Sequence, residues 1–584
     1  MTQKQRTLVK RVIDWLNEEG LPEFSLDPEY PGPGPSGAGS GRVASRGGKG
    51  LIRRLASALR RRKRGEVRRG LPSAAPRLTG SLEENLRRIR TTFHLPESSD
   101  ILLKEVEIPL RKPRRVAVLF VNAMIDKRVL DADLLGPLLS PDPARVIQVE
   151  NALVEGKLER LFPQVSVDLK DSLDSIAWEI MSGKIAVIVD GFSVAVLADA
   201  AGWRHRDVNQ PVNERVVRGP HQAFVEPLKI NVTLVRRIIR SPDLVVELTE
   251  VGSLSRTEVA VVYIAGVTNP RLVDEVKKRL NAIRLDYVST DGELEQLLDE
   301  RTGSVIPSTM ITERPDRFAA HIAEGYVGVF TDNAPAGIII PSTAADLLQN
   351  PEDFYTRWPY GTFLRLLRFL GFLIAMFAPA VYVATINYHQ EMVPTNLLFS
   401  IGATREAVPL PSILNVWITL LAFDLIQEAG IRVPAPIGPT IGIVGALLIG
   451  EAAVRASLLT PAEVILIAVT AVSSYTISSP QLAIMVRVSK YLFLAASALW
   501  GLLGVGLVGF GILVYLCSIR NFGVPFMIPF APRVKGAPDV TIRGPLWKME
   551  RRPVYLRPLE PRIAPPVTRR WMKRRDNPND DPGR

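Results

Sequence analysis

The chain holds one cysteine, Cys517, and five histidines among 584 residues. A disulfide framework is therefore excluded, and a Cys/His zinc site is not expected. Enzyme signatures are missing as well. The Gly47–Gly50 stretch, GGKG, follows no strand pattern and has Gly50 where a phosphate loop needs Ser or Thr to hold magnesium. No HExxH is present; Tyr388-His389-Gln390-Glu391 reads as a polar cluster at a membrane boundary. No GxSxG elbow occurs, and Cys517 lies in an apolar span where its thiol is expected to stay protonated. These absences predict a non-enzymatic chain with no cofactor and no metal centre.

What is present divides unevenly along the chain. Lys and Arg number 72 against 60 Asp and Glu, a formal charge of +12. The run from Arg53 to Arg69 has nine basic residues and one acid, and Ala531 to Arg584 has fourteen and six, so each carries +8 and the remainder carries −4. Basicity is confined to these two segments. The first lacks aromatic residues for base stacking, so anionic lipid is the expected partner and nucleic acid is not; a merely solvated segment is the plainer alternative.

Apolar residues concentrate after Arg368. Phe369 to Tyr388 has no charged residue, about the length that crosses a ~30 Å hydrocarbon core. Tyr491 to Ile519 is also free of charge, and three further apolar segments lie between, at Leu410 to Ala429, Ile437 to Leu458 and Ala462 to Ile477. Asp424 and Glu428 end the first of these, where they are expected to make intramembrane polar contacts, because charge is costly in lipid. No apolar leader precedes the soluble part, so the first 368 residues are expected to be cytosolic. Arg357, Arg365 and Arg368 before the first span and the basic segment after the last agree with this. Both ends inside require an even number of crossings, so four segments are expected to span and one not.

Glycines 438, 442, 445 and 450 suit close helix packing, with Gly438 and Gly442 as a GxxxG pair. Thr440 and Glu451 on the same apolar segment also fit the lining of a conduction path. Thr440, Val444, Gly445 and Glu451 are thus the candidate pore and gate residues. Ser473, Ser474, Thr476, Ser478 and Ser479, before Pro480, form a second polar stretch that fits a loop.

The soluble half carries an internal repeat. VAVLFVNAM from Val116 matches VAVVYIAGV from Val259 at an offset of 143, and Asp190 matches Asp332 at 142. Both aspartates precede a turn residue, Gly191 or Asn333, and read as turn chemistry rather than catalysis. The fold class expected is a duplicated α/β soluble N-terminal domain followed by an α-helical polytopic membrane domain. Its expected parts are a low-complexity basic extension (1–98), subdomain one (99–208), a helical connector (209–244), subdomain two (245–342), a juxtamembrane linker (343–368), a membrane domain (369–519) and a basic, proline-rich cytosolic tail (520–584).

The blocks ITERPDRFAAHIAEGYVGVFTDNAP (from Ile311), PEDFYTRWPYGTFLRLLRFL (from Pro351), YHQEMVPTNLLFSIGATREAVPLP (from Tyr388), EAGIRVPAPIG (from Glu428) and NFGVPFMIPFAP (from Asn521) resemble GerA-type spore germination proteins. The chain is similar to the A subunit of a nutrient germinant receptor. That resemblance implies a spore inner-membrane location, assembly with a transporter-like B subunit and a lipoprotein C subunit, self-association, and a role as a nutrient-gated ion channel. A paralogous branch tied to the dipicolinic acid release channel, or a non-conducting scaffold, are the alternatives. The resemblance also implies two further acids in the second apolar segment, where this chain has Asn415 and Leu420.

Overall fold

The computed structural model describes residues 76–110, 113–140, 142–162, 164–202, 210–301, 303–432, 450–534 and 542–563. They form two compact units, one containing residues 76–202 and the other residues 210–239 and 243–563.

In the first unit, α1 (Leu82–Thr92) precedes strands β1 (Ile101–Ile108) and β2 (Arg114–Val121). Helix α2 (Pro143–Glu155), strand β3 (Val167–Lys170), helix α3 (Leu173–Ile180) and strands β4 (Lys184–Val189) and β5 (Ala195–Asp199) follow. The strands form one antiparallel sheet in the order β1-β2-β4-β5-β3. Helices cover both faces, which is why β2 and β4 are apolar at successive positions instead of alternating. Val116, Val118 and Phe120 point into the core that contains α2, while Ala117, Leu119 and Val121 point into the core that contains α1 and α3.

The second unit repeats this plan. Helix α4 (Leu228–Ile238) leads into β6 (Leu244–Val251) and β7 (Thr257–Ile264). Helices α5 (Pro270–Ala282) and α6 (Asp291–Leu298), strand β8 (Met310–Thr312), helix α7 (Pro315–Glu324) and strands β9 (Val327–Thr331) and β10 (Gly337–Ile340) follow. The sheet order is β6-β7-β9-β10-β8. Even the register recurs: Val116 faces Val189 and Val106, and Val259 faces Thr331 and Thr249.

Each sheet carries the same two side-chain anchors. Asp190 Oδ1 accepts from the Leu82 amide at 3.2 Å, and Asp332 Oδ1 accepts from the Leu228 amide at 3.0 Å. The turn aspartate thus caps a helix that begins about a hundred residues earlier, satisfying an amide that has no partner within the helix. Asn85 and Asn231, both fully buried, accept from the amides of Thr79 (2.9 Å) and Val225 (2.8 Å) and donate to the same residues' carbonyls. Helix α1 is therefore part of the first fold although it lies before Ser99, and α4, read as connector, packs in the second core.

The apolar region is helical. Helices α8 (Trp358–Tyr388), α9 (Thr395–Arg405), α10 (Ser412–Arg432), α11 (Pro461–Ser474) and α12 (Pro480–Ser518) are described there. Among the described residues three helices are long and apolar enough to cross a membrane, Trp358–Tyr388, Ser412–Gly430 and Pro480–Ser518, and Pro461–Ser474 is a shorter apolar helix. Arg365 and Arg368, read from sequence as topological charges, both pair with the fully buried Asp353, Arg365 at 3.0 Å.

Helix α12 is not one rod, which corrects the reading of Tyr491 to Ile519 as a single uninterrupted segment. Gly501 has φ 59° and ψ −141°, a conformation open to glycine and not to helix. Past it the chain returns on itself: a Cβ on Gly504 would strike the Ala496 carbonyl, and one on Gly509 would lie 3.6 Å from the Phe493 ring. In a straight helix those pairs would be about 12 and 24 Å apart. The sequence hid this because the apolar run is continuous through the break. The groups freed at the reversal are taken up by the end of α8. Tyr388 Oη donates to the Ala498 carbonyl, and the Leu502 amide donates to His389 Nε2 at 3.4 Å.

Candidate functional site

Asp424 on α10 has a side chain only 12% exposed and lies 2.8 Å from Lys490 Nζ on the first limb of α12. Its second oxygen accepts from Tyr491 Oη at 2.6 Å. An isolated charge in this apolar bundle would be costly, and the pair with its extra hydroxyl donor is the arrangement that makes one tolerable. Around it a cavity of about 40 Å³ is lined by Ala375, Asp424, Gln427, Thr470, Ser474, Arg487 and Lys490, among others, from four helices. Such a space admits about one to three water molecules. The site is thus a small, mostly apolar chamber with both signs of charge at its wall.

The other sequence-derived candidates fall elsewhere. Glu428, one turn on from Asp424, is half exposed, with Arg487 at 3.9 Å. Glu451 makes a surface pair with Arg455 at 2.6 Å, its side chain 54% exposed. Thr440, Val444 and Gly445 lie outside the described residues. The basic run from Arg53 to Arg69 does too.

Lys490, Arg487 and Tyr491 were not singled out in the sequence. A search for charge-free runs starts the span at Tyr491 because Lys490 ends such a run. The usable signal was their spacing, since positions 487, 490 and 491 share one helical face. Glu463, also overlooked, is fully buried at the start of α11. Its Oε2 accepts from the Thr460 amide at 3.0 Å and from Asn415 Nδ2 at 3.3 Å. Asn415 and Leu420, the two positions where the resemblance implies acids, are both buried in this bundle.

The family model described as Bacillus/Clostridium GerA spore germination protein matches residues 87–555, most of the chain. The chain belongs to the GerA family. Among relatives of this GerA chain, spore germination protein KA of Bacillus subtilis (strain 168) is 36% identical over 477 residues, covering 82% of this chain and 87% of that protein. Spore germination protein GerLA of Bacillus cereus is 34% identical over 489 residues, covering 84% and 98%. The crystal structure of the N-terminal domain of the A subunit of the Bacillus megaterium spore germinant receptor GerK3 matches 46% of this chain and 97% of its own, at 27% identity and a TM-score of 0.35. The GerA chain is thus a member of the germinant receptor A subunit family, with sheet-rich soluble folds followed by apolar helices that mark a membrane protein.

Proposed function

We propose that this chain is the A subunit of a nutrient germinant receptor in the spore inner membrane and forms, as a homo-oligomer, an ion-conducting part of that receptor. The observation that carries the reading is the Asp424–Lys490 pair at the wall of a small, mostly apolar cavity inside the helical bundle. Ionisable groups are rare inside membrane bundles, and where they occur they commonly mark ion or proton pathways. Thr440, Val444, Gly445 and Glu451 are the proposed pore and gate. Family membership supports assembly with a transporter-like B subunit, which captures the nutrient, and with a lipoprotein C subunit. Gln481 in the first turn of α12 and Asn521 just past its end both bond to the second soluble fold, which supports a soluble region and tail on the same face of the membrane; we assign that face to the cytosol.

Reconstitution of the purified chain in liposomes, with and without its B and C subunits, tests the proposal. Cation flux that a bulky residue at Val444 or Gly445 alters is expected. Absence of flux under every condition, with the assembled complex intact, would make the chain a non-conducting scaffold. Counting subunits in detergent is the companion measurement: a closed ring is expected, and a monomer would sink the central pore.

A further inference from the structure

Both limbs of the α12 hairpin are gripped by one short stretch of the second soluble fold, Pro307 to Ile311. Just past the second limb, Asn521 Nδ2 donates to the Pro307 carbonyl at 3.3 Å and the Ser342 carbonyl at 2.8 Å. In the first turn of the first limb, Gln481 Nε2 donates to the Thr309 carbonyl at 3.3 Å, and its Oε1 accepts from the Ile311 amide at 3.5 Å. Strand β8 is the edge of its sheet, so Gln481 fills the place of a neighbouring peptide group. Its strongest bond is to an acid: Gln481 Nε2 lies 2.6 Å from Glu295 Oε1, which also accepts from Thr309 Oγ1 at 3.1 Å.

Glu295 therefore sits where α6, the β8 edge and the membrane hairpin meet. No cation lies within ion-pair distance of it among the described residues. Asp291 at the start of α6 and Asp299 just past its end flank it. Asp299 is occupied by Ser308, and Glu300 takes Arg279 and the Phe522 amide. Arg301 donates to the Ser518 carbonyl at 3.3 Å. On α12 the next cations, Arg487 and Lys490, face Glu428 and Asp424.

We propose that Glu295 is a proton-binding switch site, whose protonated form holds the soluble fold on the membrane hairpin and whose ionised form loosens that hold. It does not rest on ion conduction. Gln481 and Thr309 donate to either form, and more strongly to the anion, but ionisation also puts a buried charge beside Asp291 and Asp299 with no cation to offset it, and that cost is the larger. Burial, then those two charges, push Glu295 up to about 7 from its ordinary 4.5, against the bonds from Thr309 and Gln481. A group raised in the joined state and ordinary in the opened one stabilises the joint fully below about 4.5. That hold falls about ten-fold per pH unit up to about 7 and is gone above.

The test is hydrogen exchange of the Met310–Thr312 amides and the first turn of α12 in the full chain, in lipid nanodiscs, at pH 5, 6, 7 and 8. Opening, corrected for intrinsic exchange, is expected to rise about ten-fold per unit to pH 7 and then level off. Glu295→Gln should stay closed throughout with a flat profile. A flat wild-type profile, or a Glu295→Gln profile that still slopes, overturns the proposal. If that variant fails to fold, Asp299→Asn decides. Removal of a neighbouring charge should move the profile to lower pH, and an unmoved or abolished profile assigns the titration elsewhere.

Discussion

Tyr326 and Tyr555, 229 residues apart, join their hydroxyls at 2.8 Å beside the buried carboxylate of Asp346, to which Tyr326 also hydrogen-bonds at 3.1 Å. Around this contact the region after the last helix is seated on the second soluble fold. Leu556 is fully buried, the Leu559 amide donates to the Val267 carbonyl at 2.9 Å, and Arg552 Nε donates to the Ala323 carbonyl at 2.9 Å. The net charge of +8 that marked this tail in the sequence says nothing of that seat.

Removing the seat should free the tail without unfolding the sheet. Leu556→Ala is expected to cost about 2–5 kcal/mol, as burial loss plus cavity, and Tyr555→Phe about 1 kcal/mol, one hydrogen bond. Limited proteolysis of the full chain in detergent, read by the rate of cleavage within residues 542–563, checks both. Equal rates in Leu556→Ala and wild type would show that the tail is not anchored there.

The same contact gives a pH dependence whose sign is fixed. Burial raises the Asp346 carboxyl to about 6 from 3.8, against hydrogen bonds from Thr343 and Tyr326. The folded state therefore holds a proton that the unfolded state releases. The associated stability is fully present below about 3.8 and lost as pH climbs to about 6, on the order of 3 kcal/mol in all. Asp346→Asn should flatten that part of the profile of unfolding temperature between pH 4 and 6.5. A variant with the wild-type slope would assign the dependence to other groups.

The repeat was legible in the sequence because strands buried on both faces keep their β-branched residues, so Val116 and Val259 still align. Helix α1 was not, since LEENLRRIR is charged enough to pass for part of the basic extension. Its tie is Asp190, read correctly as a turn residue, whose second role as a cap spans too much chain to read from local pattern. Asp190→Ala and Asp332→Ala should each cost about 1 kcal/mol, the usual loss for a helix cap. A change below 0.3 kcal/mol in urea unfolding of either variant would leave the cap without energetic weight. In the membrane region, hydropathy finds apolar length but is blind to a reversal made by one glycine, and a charge-free window stops at Lys490 before its partner is seen.

That reversal is directly testable by distance. With Cys517→Ser removing the native thiol, Phe493→Cys and Gly509→Cys should be joined within one chain by a short bifunctional thiol reagent. A Cβ on Gly509 would lie 3.6 Å from the Phe493 ring, whereas a straight helix would hold these two residues about 24 Å apart. Failure to cross-link, with the same pair reactive toward a soluble maleimide, would restore a continuous helix. Gly501→Ala should lower cross-linking, because a side chain at that φ and ψ strains the turn by about 1–3 kcal/mol.

The Asp424–Lys490 pair is where the proposed conduction and a purely bracing role make different predictions. Lys490→Met leaves Asp424 buried with only Tyr491 as donor, and should destabilise the bundle by about 3–5 kcal/mol. Asp424→Asn combined with Lys490→Met removes both charges and should recover much of that loss, since a buried pair is often little better than apolar side chains of similar size. A double-mutant cycle on detergent unfolding temperature gives the coupling between the two residues. If the pair only braces the helices, the double variant should restore ion flux in liposomes along with stability. If its charges line the path, stability should return while flux stays altered. Recovery of both would remove this pair from the conduction route and leave the segment around Val444 as the place to seek it.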